Sequence, residues 1–429
     1  MLMTDLTTST NPFARFLRVL GPGLVTGASD DDPSGIGTYS QVGAQFGFGM
    51  LWTMLFSYPL MVSIQLISAR IGRVTGHGIA GNLRRHYPRS LAYPLVLLLL
   101  VANTINIGAD LGAMGAAVHL LLGGQVVWYT ALFGVVSLLL QVFVPYSRYV
   151  RFLKWLTLAL FAYVATAFTV AVPWGEVLLA TLLPRVRLSS ESITAVVAVL
   201  GTTISPYLFF WQASQEVEDL RAAPDESPLK QAPLQAPAQL ERIELDTYVG
   251  MGMSNLVAFF IILTTAATLH LHGVTDIDTA ARAAEALKPL AGEFAFVLFA
   301  AGIVGTGLLA VPVLAGSAAY AVGEALHWRT GLERKPTRAK RFYGVIAAST
   351  LAGVLMNFSD INPVKALFWT AVINGVIAVP ILVAIILMAS KPAVMGEFFL
   401  SARLKTVGWL TTAVMALSVS GMFITWPRH

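Results

Sequence analysis

From residue 92 to residue 144 the chain carries a single Asp, Glu, Lys or Arg side chain, Asp110, and runs almost as poor in charge recur along its length. A run of about 20 mostly apolar residues matches the hydrocarbon thickness of a bilayer. Inside lipid every backbone N–H and C=O must find a partner within the protein, which leaves helices or closed barrels. Runs of this length are helices. Only 12% of residues are charged, about half the share of a soluble domain, and mean hydropathy is +0.71. There is no cysteine, so disulfides and thiolate metal sites are excluded.

Reading between charges and turn formers gives eleven spans, at 20–41, 46–69, 92–121, 126–144, 153–173, 192–217, 247–269, 293–322, 342–357, 364–389 and 407–426. With the N-terminus placed in the cytoplasm, 22 of the 28 Lys and Arg residues fall in inside segments and six outside. The positive-inside rule predicts such an asymmetry for a correct topology. The expectation is a multi-pass protein of the plasma membrane, N-terminus inside and C-terminus outside. The basic balance is then a topological anchor, and no nucleic-acid partner is expected. The N-terminus lacks the basic start, apolar core and small-residue cleavage site of a signal peptide.

Two spans are interrupted. Span 1 contains "SDDDPSG" (29–35) and span 6 contains "GTTISP" (201–206). Proline removes a backbone donor, clashes with the preceding turn, and pushes its upstream neighbour away from helical angles. Unwound backbone at membrane depth is tolerated only where it is buried or lines a polar cavity. The bland reading of either proline is a kink. The two breaks lie five spans apart, however, and an odd-numbered repeat inverts its second copy. Paired breaks in inverted halves point to a transporter's midplane site. Asp32 lies at the first break, and a carboxylate beside unpaired carbonyls favours a cation. Asp30 and Asp31 read either as further ligands or as solvated groups at a cavity mouth.

"GPG" (21–23), an aspartate–proline break nine residues beyond its last glycine, and "GAQFG" (43–47) together resemble the first helix of NRAMP-type divalent metal transporters. The resemblance covers nearly the whole chain. It implies the leucine-transporter-like fold, an all-α inverted 5+5 repeat with discontinuous helices 1 and 6. The implied parts are an N-terminal segment 1–19, a first repeat 20–173, a second repeat 174–389 including a linker 220–246, and a terminal loop and helix at 390–429.

Departures from the family pattern carry the finer reading. The family's Asp-Pro-Gly-Asn is here Asp32-Pro33-Ser34-Gly35, so the asparagine ligand becomes a glycine that offers only backbone. Its Met-Pro-His is here Ser205-Pro206-Tyr207, with a hydroxyl for the thioether and a phenol for the proton-linked imidazole. Thr202 stands where the family uses an alanine carbonyl. In span 3, Asp110 is kept but Ala113 replaces a glutamate of the proton route. This pattern is closest to the NRAMP-related magnesium transporters, which as a class lack the methionine and proton coupling.

Ligand chemistry agrees. Thioether sulfur selects transition metals, whereas carboxylate, hydroxyl and carbonyl oxygens suit Mg²⁺, Ca²⁺ or Mn²⁺. Mg²⁺ keeps several waters and binds through one or two carboxylates. The expected ion is therefore Mg²⁺, with Mn²⁺ next, and the expected ligands are Asp32, Gly35, Thr202 and Ser205. Asp31, Asp110 and Tyr207 are expected along the ion path. No cofactor, obligatory protein partner or enzymatic activity is expected; there is no HExxH and no serine–histidine pairing. The alternatives are a proton-coupled transition-metal symporter and a Na⁺-coupled carrier of organic solutes.

Other polar groups take bland readings. Asn103 and Asn106 share a face with Asp110 and read as interhelical hydrogen-bonding groups, as do Asn255 and Asn374. "QEVED" (215–219) reads as a solvated helix end, and His270 and His272 as interfacial.

Overall fold

The computed structural model describes residues 22–144, 156–184, 189–359 and 361–426. Helices dominate, and no strand occurs among the described residues. The first span is broken where proline requires it. Helix α1 (Pro22–Asp30) stops at the aspartates, and α2 (Pro33–Phe46) restarts at Pro33. Asp32 is extended, with φ −68° and ψ 169°, and caps α2 by accepting from the Gly35 N–H. That is an N-cap followed by proline at the first helical position, a pairing that preorganises a helix start.

After α3 (Trp52–Thr75), α4 (Ile79–His86), α5 (Arg89–Leu122), α6 (Val126–Phe143), α7 (Phe161–Thr169) and α8 (Trp174–Leu182), the pattern repeats. Helix α9 (Ser190–Thr203) ends before Ile204 and Ser205, and α10 (Pro206–Ala222) begins at the second proline. The second half continues with α11 (Ala236–Thr268), α12 (Ala295–Ala325), α13 (Lys340–Met356) and α14 (Pro363–Ala389); α15 (Ala402–Thr425) follows.

Eight helical stretches among the described residues are long and apolar enough to cross a membrane. The other three expected spans are shorter pieces. Span 1 is divided between α1 and α2. Span 5 begins outside the described residues and is helical over Leu156–Leu160 and Phe161–Thr169. Span 9 is α13, 17 residues long.

Glycines set the helix contacts that bring the two halves together. A Cβ on Gly43 of α2 would lie 2.4 Å from the Ile262 carbonyl oxygen of α11. One on Gly72 of α3 would lie 2.2 Å from the Ala213 carbonyl oxygen of α10. The first span thus packs on the seventh and the sixth on the second, the exchange of partners that a five-helix inverted repeat produces. Small residues at such crossings let backbones approach closely in lipid, where apolar burial alone does not drive helices together.

Two expectations are corrected at one end of the bundle. "QEVED" is not a solvated end: Glu216 is fully buried and receives a 2.5 Å bond from Arg242, while Glu218 pairs with Arg221 at 2.6 Å. Buried carboxylates persist only when paired, and α11 supplies the partner by starting at Ala236 rather than near 247. The linker is docked as well. Leu229 and Lys230 N–H groups donate to the Arg73 and Val74 carbonyls at 3.2 Å, and Arg73 pairs with Glu226.

Replacing Gly72 by Leu is expected to lower the thermal midpoint of the purified protein sharply, since overpacking against a backbone costs about 1–3 kcal/mol or more. Gly344→Ala, with nothing within 4 Å of the new carbon, should leave it unchanged or slightly raised. Equal tolerance of both would contradict the packing described.

Candidate cation site

Each proline deprives one carbonyl of its helical donor. The residue four before Pro33 is Ser29, and the residue four before Pro206 is Thr202. The Ser29 oxygen is satisfied from the other break: the Tyr207 hydroxyl donates to it at 2.8 Å and lies 3.4 Å from Asp32 Oδ2. The Thr202 hydroxyl turns back to donate to Ala198 at 3.0 Å, so what Thr202 offers at the break is its carbonyl. The breaks meet at Gly35. A Cβ there would lie 3.2 Å from Thr202 Cγ2, 3.0 Å from the Asp30 carbonyl oxygen and 3.4 Å from Asp32 Oδ1.

Asp32 is oriented from two directions. Its Oδ1 accepts from the Gly35 N–H at 2.6 Å, and its Oδ2 from Asn106 Nδ2 at 3.1 Å. Asn106 also donates to Asp110 Oδ2 at 3.0 Å, and its own Oδ1 accepts from Asn374 Nδ2 at 3.1 Å. Asp110 Oδ1 accepts from the Ser34 N–H at 3.2 Å. One amide on α5 thereby ties both carboxylates to α14. The Ser205 hydroxyl is buried at the second break without a hydrogen-bond partner. A buried polar atom left unpaired costs about 1–3 kcal/mol, which an ion or its water shell can offset.

The expected ligands Asp32, Gly35, Thr202 and Ser205 therefore lie at two breaks that touch each other, with Tyr207 and Asp110 joined to Asp32 by the contacts above. Asp31 lies elsewhere: with Asp30 it faces Ser254 of α11, whose hydroxyl is 2.6 Å from Asp30 Oδ2 and 3.2 Å from Asp31 Oδ1. The solvated-mouth reading of Asp30 and Asp31 fails, because both are buried. Of the asparagines, Asn103 is the structural group expected, donating to the Leu314 carbonyl at 2.9 Å. Asn255 likewise donates to the Met54 carbonyl at 3.0 Å. Asn106 and Asn374 instead belong to the site. Asn106 shares a span and a face with Asp110 but was read there as a structural group, and nothing local to the sequence marked Ser254 or Asn374.

Among the described residues no three His, Cys, Asp or Glu side chains converge as a metal cage. The donors here are one carboxylate, a hydroxyl, backbone oxygens and whatever water an ion retains. That set is hard and oxygen-only. Near the breaks, the Gly23 N–H donates to Asp246 Oδ2 at 2.6 Å, Thr26 bonds Gln212 at 2.5 Å, and Leu367 packs over Gly37, 2.7 Å from where its Cβ would stand.

A sequence model of the family described as natural resistance-associated macrophage protein-like (Nramp) matches residues 23–425. Among solved structures, a manganese transporter of Eremococcus coleocola in complex with an aromatic bis-isothiourea compound is similar at 17% identity. That match covers 98% of this chain and 90% of the other, with a TM-score of 0.73. MhsT in complex with L-phenylalanine matches at 14% identity over 94% and 98% of the two chains, TM-score 0.58. Mhp1, a nucleobase-cation-symport-1 family transporter, matches at 14% identity over 95% and 92%, TM-score 0.55. At these identities the likenesses establish the fold alone.

Asn106→Leu should destabilise the protein by about 2–4 kcal/mol, because Asp32 and Asp110 each lose a donor and remain buried close together. Asn103→Leu, which removes one bond to a carbonyl, should cost less. Thermal unfolding of the two variants in the same detergent checks the order, and a reversed order would contradict the network.

Proposed function

This chain belongs to the Nramp family, whose members are membrane metal transporters, and from that premise we propose that it imports a divalent cation by alternating access, Mg²⁺ ahead of Mn²⁺. The observation that carries the reading is the donor set around Asp32: a carboxylate, the unpartnered Ser205 hydroxyl and the freed Thr202 carbonyl, with no sulfur or imidazole. Asp32 supplies the charge. The Gly35 and Thr202 carbonyls and the Ser205 hydroxyl contact the ion or the waters it keeps. Gly35 and Ser205 occupy little volume, which leaves room for a partly hydrated ion, the form in which Mg²⁺ is usually bound.

Transport in this reading needs no proton. Tyr207, which stands where the family carries its proton-linked histidine, has its hydroxyl proton committed to the Ser29 carbonyl. Ala113 cannot titrate. The repeats 20–173 and 174–389 are the halves that move about the site, with 390–429 peripheral, in a plasma membrane with the N-terminus inside. The rival is a proton-coupled Mn²⁺/Fe²⁺ symporter, and the likeness to a manganese transporter is what keeps it in view. A Na⁺-coupled carrier of organic solutes is disfavoured, because an anionic substrate wants half-helix ends free of acid, and three aspartates stand there.

Proteoliposomes decide between these readings. Wild type should take up Mg²⁺ and Mn²⁺ without acidifying the lumen, and Asp32→Ala should fall to background. Cd²⁺ should compete poorly against wild type and strongly against Ser205→Met, which restores a soft ligand. Potent Cd²⁺ inhibition of wild type, or uptake that tracks internal acidification, would favour the rival.

A further inference from the structure

The turn between α12 and α13 forms an open surface cavity of about 350 Å³ lined by Trp328, Arg329, Arg338, Lys340 and Arg341, with no acidic residue in its wall. Elsewhere, Arg70, Arg73, Arg221, Arg242, Arg282, Lys288 and Lys365 each pair with a carboxylate. The four cations of this cavity make no ion pair among the described residues. Their shared wall also holds the start of α13, which opens without a side-chain cap and without acid in its first turn. The first N–H groups of a helix have no acceptor within it and carry partial positive charge. Four cations and an uncapped helix start therefore face one space. The Arg341 guanidinium lies 5.5 Å over the Trp328 ring, which fixes one of them in place.

We propose that this cavity binds the phosphate headgroup of an anionic phospholipid. The turn joins two membrane-embedded helices, so the cavity sits at the bilayer surface, at the level where lipid phosphates lie and where tryptophan is enriched. Basic residues serving only as topological anchors have no need to surround a common cavity or to lack counter-charges together. Basic pockets beside membrane helices recognise anionic headgroups through summed attraction of this kind. A dissolved phosphate shares the chemistry but not the anchoring acyl chains, and the lipid is favoured because the membrane delivers it at high local concentration. This site is independent of the ion path and of the identity of the transported metal.

The test uses the full chain purified in detergent. Retention of phosphatidylglycerol and of phosphatidylcholine is measured by native mass spectrometry and by shifts in thermal midpoint. Wild type should prefer phosphatidylglycerol. The triple substitution R338Q/K340Q/R341Q should weaken that lipid roughly a hundredfold, while R338K/R341K, which keeps the charge, should retain it. Arg329→Gln alone, at an exposed position, should give a smaller loss in the same direction, which keeps the test open if the triple variant folds poorly. Inorganic phosphate at the lipid's concentration should not displace it. Equal retention of the two lipids, full retention by the neutralised variant, or displacement by inorganic phosphate would overturn the proposal.

Discussion

Two carbonyl oxygens at membrane depth, Ser29 and Thr202, lose their helical donors to Pro33 and Pro206, and the centre of the molecule is organised by how those losses are made good. In lipid there is no water to take over, so each must be met from within the protein. The first is met by the Tyr207 hydroxyl reaching across from the opposite break. Thr202, beside Asp32 and the unpartnered Ser205 hydroxyl, leaves its oxygen where a cation can use it. The breaks are therefore coupled: the backbone defect of one half is repaired by a side chain of the other.

Around this centre, charge and packing are divided between different helices. Asn106 spaces and orients two carboxylates, while Ser254 holds the other two against α11. Four aspartates buried together would repel strongly if all were charged and unpaired. Amide and hydroxyl donors are what the fold provides against that repulsion. Glycine matters here as well: a Cβ on Gly27 of α1 would lie 2.2 Å from the Gly250 carbonyl oxygen of α11, and this close backbone approach lets the short Ser254 side chain reach.

The proline breaks were legible because their cause is local. A missing N–H and a restricted preceding residue act within a single turn, so Asp32-Pro33 and Ser205-Pro206 could be located without tertiary information. The apolar helices were legible because apolar length is a property of the chain itself. What failed depended on distant partners. Glu241, Arg242, Glu244 and Asp246 read as loop charges, yet α11 runs through them because Glu216, Arg70 and the Gly23 N–H complete three of them. Asn106 and Asn103 looked alike in sequence, and only the fold makes one a bridge between carboxylates and the other a strut.

The account rests on a single location for the ion, between Asp32 and the serine–proline break. Anomalous diffraction from crystals soaked in Mn²⁺ tests this directly, because the metal reports its own position. The expected result is one strong peak within coordination distance of the Asp32 carboxylate and the Thr202 carbonyl, fading as Mg²⁺ is added in excess. A peak centred instead on Asp30, Asp31 and Ser254, or one that Mg²⁺ leaves untouched, would contradict it.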